Sequence, residues 1–249
     1  MINACRYAIP IGVLLLASAA SPNARPIEAQ FPGLRGGLTL GKALFLTDGQ
    51  ILDAADRACA AKDQTTPVAA EGSAHAARLA RLTGDLASED GLQLVFKVYL
   101  VDEINAWAMP NGCVRVYSGL LDVVTDDELL SVIGHEIGHV KLGHAKAKMR
   151  TALLARGVRE SASGSGAGVI AAGELGGLAE SVVNAQFSQK EERAADDYGY
   201  VFLLKRSLDP AAMVSMFRKL PNKRGGLLNS HPDPESRAKR IEARLKKRS

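Results

Sequence analysis

The segment that most narrows the folds open to this chain is His135-Glu136-Ile137-Gly138-His139. Ten residues upstream, Thr125-Asp126-Asp127-Glu128 has the form of a capping box, in which hydroxyl and carboxylate satisfy backbone N–H groups that a first helical turn leaves free. A long helix from Asp126 to about Met149 follows from this start. His135 and His139 stand four residues apart and so share one face of that helix. Two imidazoles so placed can bind one metal ion, and Glu136, about one residue's rotation away, can polarise a water beside it. Helical phase, spacing and capped start agree, which argues against a chance pair of histidines.

A catalytic zinc ion takes three protein ligands and keeps one position for water. The third is sought on another helix, and Ser188-Gln189-Lys190-Glu191 caps one running through Leu204. On it, Glu192 and Asp196 are four residues apart and face the same way. Glu192 can ligate the metal, and Asp196 can accept the hydrogen bond from a ligand imidazole's other N–H. Alone, such a pair is an ordinary solvated face; the His135 helix makes it informative. His144, five residues past His139, points off the zinc-binding face and is expected to play a supporting part. His75 is expected to play none.

The N-terminus reads as an export signal. Arg6 precedes the short apolar run Ile9 to Ala17, and Ala17-Ser18-Ala19 offers a small-x-small cleavage site. The run is far shorter than the roughly 20 residues of a membrane helix. Residues 1–20 are thus expected to be a signal peptide and 21–46, rich in Pro and Gly, a flexible linker. Residues 47–249 form one expected domain, large enough for a hydrophobic core, with no internal repeat. Past the signal only Cys59 and Cys113 remain. They are one disulfide or two separate thiols, and an oxidising compartment favours the bridge.

Elsewhere, Thr47-Asp48-Gly49-Gln50 caps a helix towards Lys62, and Ser73 to Ala87 reads as a second. Gln93 to Val101 and Cys113 to Tyr117 carry strand signals, with Asn111-Gly112 a hairpin turn between them. A small antiparallel sheet of three strands is expected. Ser161 to Gly177, rich in Gly, Ser and Ala, reads as a loosely helical cover. Asp209-Pro210 starts another helix, and His231-Pro232-Asp233-Pro234 is a rigid loop. The net charge of +4 is concentrated in Arg237 to Arg248, where Ile241 and Leu245 lie at helical spacing. That stretch reads as an exposed helix with one apolar stripe; contact with anionic lipid is the sharper alternative. No interleaved aromatic residues or motif support nucleic-acid binding.

His135 to His139 with Glu192-x-x-Ala195-Asp196 resembles the Ste-type zinc metallopeptidase family that includes HtpX, BepA and LoiP. The likeness extends through Asn105-Ala106-x-Ala108, Asn111-Gly112-Cys113-x-Arg115-Val116-Tyr117-Ser118-Gly119-Leu120, Asn184-x-Gln186-Phe187-Ser188-Gln189 and His231-Pro232. It covers most of residues 45 to 245 and is nearest to the periplasmic members of the family. It implies a mainly helical α+β fold, with a zincin (gluzincin-like) core and the small sheet packed on the active-site helix. It implies one Zn2+ per chain held by His135, His139 and Glu192, with Glu136 as general base and Asp196 supporting a ligand. Asn105, Ala106, Trp107 and Ala108 would form an edge strand that pairs with an extended peptide. His231 would reach the zinc in a latent state or stabilise the oxyanion. The implied activity is cleavage of misfolded or membrane-associated envelope proteins in the bacterial periplasm, in association with the outer membrane or its assembly machinery. Two competing readings are an envelope chaperone with a latched protease site and a lipid- or peptidoglycan-binding protein using the basic tail.

Overall fold

The structure is a computed structural model that describes residues 47–163, 172–220 and 226–248. The expected signal peptide and linker lie outside the described residues, as does the centre of the glycine-rich cover. The described chain is mainly helical around one three-stranded sheet. No described helix is long and apolar enough to cross a membrane.

All three capping boxes form. Thr47 opens α1 (Asp48–Thr65), Thr125 opens α4 (Asp126–Lys141) and Ser188 opens α7 (Gln189–Lys205), each with reciprocal bonds to its Gln or Glu. Ser73 caps α2 (Ala74–Thr83), and Asp209 Oδ1 accepts from the Ala211 N–H to start α8 (Ala211–Lys219). A short α3 (Ser118–Val123) joins the sheet to α4. The remaining helices are α5 (His144–Ser163), α6 (Ala172–Asn184), α9 (Leu227–Ser230) and α10 (Pro234–Lys246).

Two expectations need correction. The motif helix stops at Lys141 rather than near Met149. Gly143 adopts φ +77°, a left-handed turn that closes the helix, and α5 restarts at His144. The sheet is mixed rather than antiparallel. Its order is β1-β3-β2, with β1 (Val95–Tyr99) parallel to β3 (Cys113–Tyr117) and β2 (Ala106–Ala108) antiparallel to β3. The chain direction does alternate up, down and up, but β2 lands one strand-width away from β1, and its hairpin returns β3 into the gap. Gly112 makes that turn at φ +83°; a Cβ there would lie 1.8 Å from the Gln93 carbonyl oxygen of the neighbouring segment.

The sheet separates two cores. Val98, Val114 and Val116 face the cluster built with Leu129, Ile133, Ile137 and Leu203, whereas Tyr99, Cys113 and Tyr117 face Ile51, Ala55, Met149 and Val182. Within α4 every residue from Glu128 to Val140 is buried, so the motif helix is the interior of the molecule. It crosses α7 at small residues. A Cβ on Gly134 would press to 2.5 Å from the Phe202 ring, and one on Gly138 to 3.1 Å from Tyr198 Cβ. That close approach brings Glu192 and Asp196 over the histidine face.

Candidate metal centre

α4 supplies His135, Glu136 and His139, and α7 supplies Glu192 and Asp196. The loop after α9 adds His231, and the first turn of α10 adds Arg237. All seven are buried. His135 Nε2 lies 3.0 Å from His139 Nε2, and the Glu192 oxygens stand 3.6 and 3.5 Å from these two nitrogens. His231 Nδ1 is 3.2 Å from His135 Nε2 and 2.9 Å from Glu192 Oε1. One ligand atom from each of His135, His139, Glu192 and His231 falls within 4.8 Å of the others.

The outward ring nitrogens are engaged elsewhere. His135 Nδ1 meets Asp196 Oδ1 at 3.0 Å, and His139 Nδ1 meets His144 Nδ1 at 3.0 Å. With those positions holding the ring protons, both Nε2 lone pairs converge beside a carboxylate. Acceptors crowded this way repel one another unless a cation lies among them. Imidazole nitrogens plus one carboxylate form a donor set that suits zinc.

Electrostatics point the same way. Burial pushes His139 well below its ordinary range, so it stays neutral and able to donate a lone pair. Burial alone would raise the Glu192 carboxyl, but His231, His139 and His135 outweigh it and hold it ionised. Asp196 likewise would be raised by burial, and is instead held low by Arg237 and His135. Glu136 Oε1 is buried without a hydrogen-bond partner, and His231 Nε2 stands 3.3 Å away. An unpartnered carboxylate oxygen at the edge of a ligand cluster is poised to take a proton.

Arg237 is the residue that sequence reasoning missed. Its guanidinium meets Asp196 Oδ1 at 2.6 Å and Glu192 Oε2 at 2.7 Å, and it packs 4.4 Å from the centre of the Phe217 ring. The basic terminal stretch is thus no plain exposed helix: Arg237, Ala238 and Ile241 are buried together. The signal was available, since Arg237 shares the face marked by Ile241 and Leu245. Farther along α10, Arg240 and Arg244 pair with Asp197 at 2.8 and 2.6 Å.

The remaining expected residues fall as follows. Asn105 precedes β2, and Ala106, Trp107 and Ala108 form it at a sheet edge lying against α4. Asn105 and Met109 bond to β3 through Tyr117 and Cys113, which leaves the backbone groups of Ala106 and Ala108 directed to the open side. Cys59 and Cys113 are joined as a disulfide with Cα atoms 6.6 Å apart, tying α1 to β3. His144 supports His139 as described, and His75 sits apart, paired with Asp122 at 2.7 Å.

Comparison with known proteins agrees with this geometry. The model of "Peptidase family M48" matches residues 73–245, more than half of the chain. Metalloprotease LoiP of Escherichia coli (strain K12) is 39% identical over 219 residues, covering 85% of this chain and 87% of its own. Metalloprotease YcaL of the same organism is 37% identical, covering 85% and 86%. The beta-barrel assembly-enhancing protease of Yersinia pestis is 33% identical over 61% of this chain, which spans only 35% of that longer protein. The chain belongs to peptidase family M48 and is a metalloendopeptidase.

Proposed function

We propose that this chain is a zinc-dependent endopeptidase with a zincin-type core, exported to the bacterial periplasm, that cleaves envelope proteins. The observation that carries the reading is the convergence of His135, His139 and Glu192 beside the unpartnered Glu136 oxygen. His135, His139 and Glu192 would hold one Zn2+, with Asp196 and His144 fixing the imidazoles and Arg237 fixing both carboxylates. When bound, zinc supplies Lewis acidity that acidifies a water and polarises the scissile carbonyl. Glu136 takes the proton from the attacking water and delivers it to the departing amine. The edge of β2 offers the Ala106 and Ala108 backbone groups to an extended peptide, which aligns the bond to be cut over α4.

His231 has two uses consistent with its place. Where it stands, beside His135 and Glu192, it would hold a bound metal together with them and keep the centre closed; turned away, it would be free to stabilise an oxyanion. Envelope substrates are supported by the names of the relatives, one a beta-barrel assembly-enhancing protease, and by the expected export signal. The Cys59–Cys113 bridge suits the same oxidising compartment. Association with the outer membrane or its assembly machinery belongs to this proposal.

The test is cleavage of casein or a misfolded envelope protein by purified protein beginning near Ala20. A zinc chelator should abolish cleavage and added Zn2+ should restore it. Chelator-insensitive cleavage would overturn the reading.

A further inference from the structure

Phe187 immediately precedes the Ser188 cap of α7, the place where a helix usually puts an apolar residue to pack against its own fourth position. That fourth position is Glu192, which points into the metal centre, so the usual apolar partner is missing. The Phe187 ring turns elsewhere. It stacks on the His139 imidazole, centroids 3.6 Å apart and planes 20° from parallel. The Lys148 ammonium lies over the Phe187 ring at 3.4 Å from its centroid. The Phe187 N–H donates to the Ser230 carbonyl at 3.1 Å, the residue before His231, and its ring centroid is 5.2 Å from that of His231.

The geometry points to Phe187 as a positioning residue for the metal centre, clamped by Lys148, that fixes the plane of the His139 ring and ties it to the His231 segment. The inference rests on His139 being a zinc ligand. Three elements meet at this one residue: α4 through His139 and α5 through Lys148 on its ring, and the end of α9, far away in sequence, through the Ser230 carbonyl on its backbone N–H. A ligand imidazole turns about its Cβ–Cγ bond unless something holds it. The contact at His139 Nδ1 fixes one edge of the ring, and the stack fixes its tilt.

Lys148 is a costly choice for a clamp unless the ring matters. Burial lowers its ammonium to a pKa of about 8, and Glu136, Glu192 and Glu191 attract it through space, none of them by a hydrogen bond. What it contacts instead is the aromatic face, where a partly desolvated cation is held by the ring quadrupole.

The test uses the full mature chain and measures zinc affinity by competition with a chromogenic chelator, together with the visible spectrum of the cobalt-substituted protein. Phe187→Leu should weaken zinc binding by about 10- to 100-fold, as loss of a ligand's supporting partner does, and shift the cobalt bands. Phe187→Tyr should restore both. Lys148→Met should weaken binding by about fivefold, the equivalent of roughly 1 kcal/mol of cation–π contact, and Lys148→Arg should recover it. Wild-type affinity and spectrum in Phe187→Leu would overturn the inference. If circular dichroism shows that variant unfolded, the Lys148 pair decides, and an unchanged Lys148→Met overturns it. Failure of the wild-type chain to bind zinc at all would instead remove the reading of the site itself.

Discussion

Two polar clusters sit in different parts of this molecule, a half-buried one between α1 and the sheet and a buried one among α4, α7 and α10. In the first, Asp63 receives the Arg115 guanidinium at 2.8 and 2.9 Å, the Tyr99 hydroxyl at 2.7 Å and Lys97 at 2.7 Å. Burial would raise this carboxyl, but the bonds from Arg115, Lys97 and Tyr99 outweigh it and hold it well below the ordinary range. One carboxylate there is surrounded by donors, and Arg115 also reaches Cys59 Sγ at 3.1 Å beside the disulfide. The second cluster is built the other way. Of three carboxylates, Glu192 and Asp196 share the Arg237 guanidinium while Glu136 does not reach it, imidazole lone pairs converge, and a Glu136 oxygen makes no hydrogen bond. A saturated network specifies structure, and an unsaturated one awaits a cation and a proton. The contrast separates scaffold from site without reference to any relative.

The contrast can be broken by substitution. The largest effects belong to the unsaturated cluster. His135→Ala or Glu192→Ala should lose bound zinc and with it all measurable cleavage, while circular dichroism stays folded; metal content by atomic absorption checks this. Next comes the bridge beside the saturated cluster. Replacing Cys59 and Cys113 together by Ala opens a loop spanning 54 residues and should cost about 4 kcal/mol in the chain-entropy account, read by urea unfolding. Zinc affinity of the folded fraction should not change. Smaller again, Asp63→Asn should cost about 3 kcal/mol at neutral pH, because buried Arg115 loses its counter-charge. The folded-state carboxyl is depressed, so this stabilisation is complete above the unfolded value of about 4 and fades as pH falls below it. Wild type and Asp63→Asn should therefore converge in acid. A constant gap down to low pH would contradict the assignment of that cluster.

Local chemistry was legible in the chain. Thr47, Thr125 and Ser188 each cap a helix through a residue three positions on, and such short-range bonds need no tertiary knowledge. Helical phase also made legible that His135 and His139 share one face and that Glu192 and Asp196 share another, while the meeting of the two faces came from the metal's need for a third ligand and from the family resemblance. What escaped was non-local. The β1-β3-β2 order depends on where β2 docks after leaving β1, and neither strand's own residues encode that distance. The break at Gly143 hides because His144 to Met149 continues with good helix formers after one left-handed residue. Arg237 read as one charge in a basic run, since only the arrival of α10 over α7 reveals the two carboxylates it meets.

The most direct test of the central claim is Glu136→Gln, which keeps shape and removes the proton acceptor. Zinc per chain should stay at the wild-type value while the cleavage rate falls by about two to four orders of magnitude. Cleavage at the wild-type rate by a zinc-loaded Glu136→Gln protein would contradict the account.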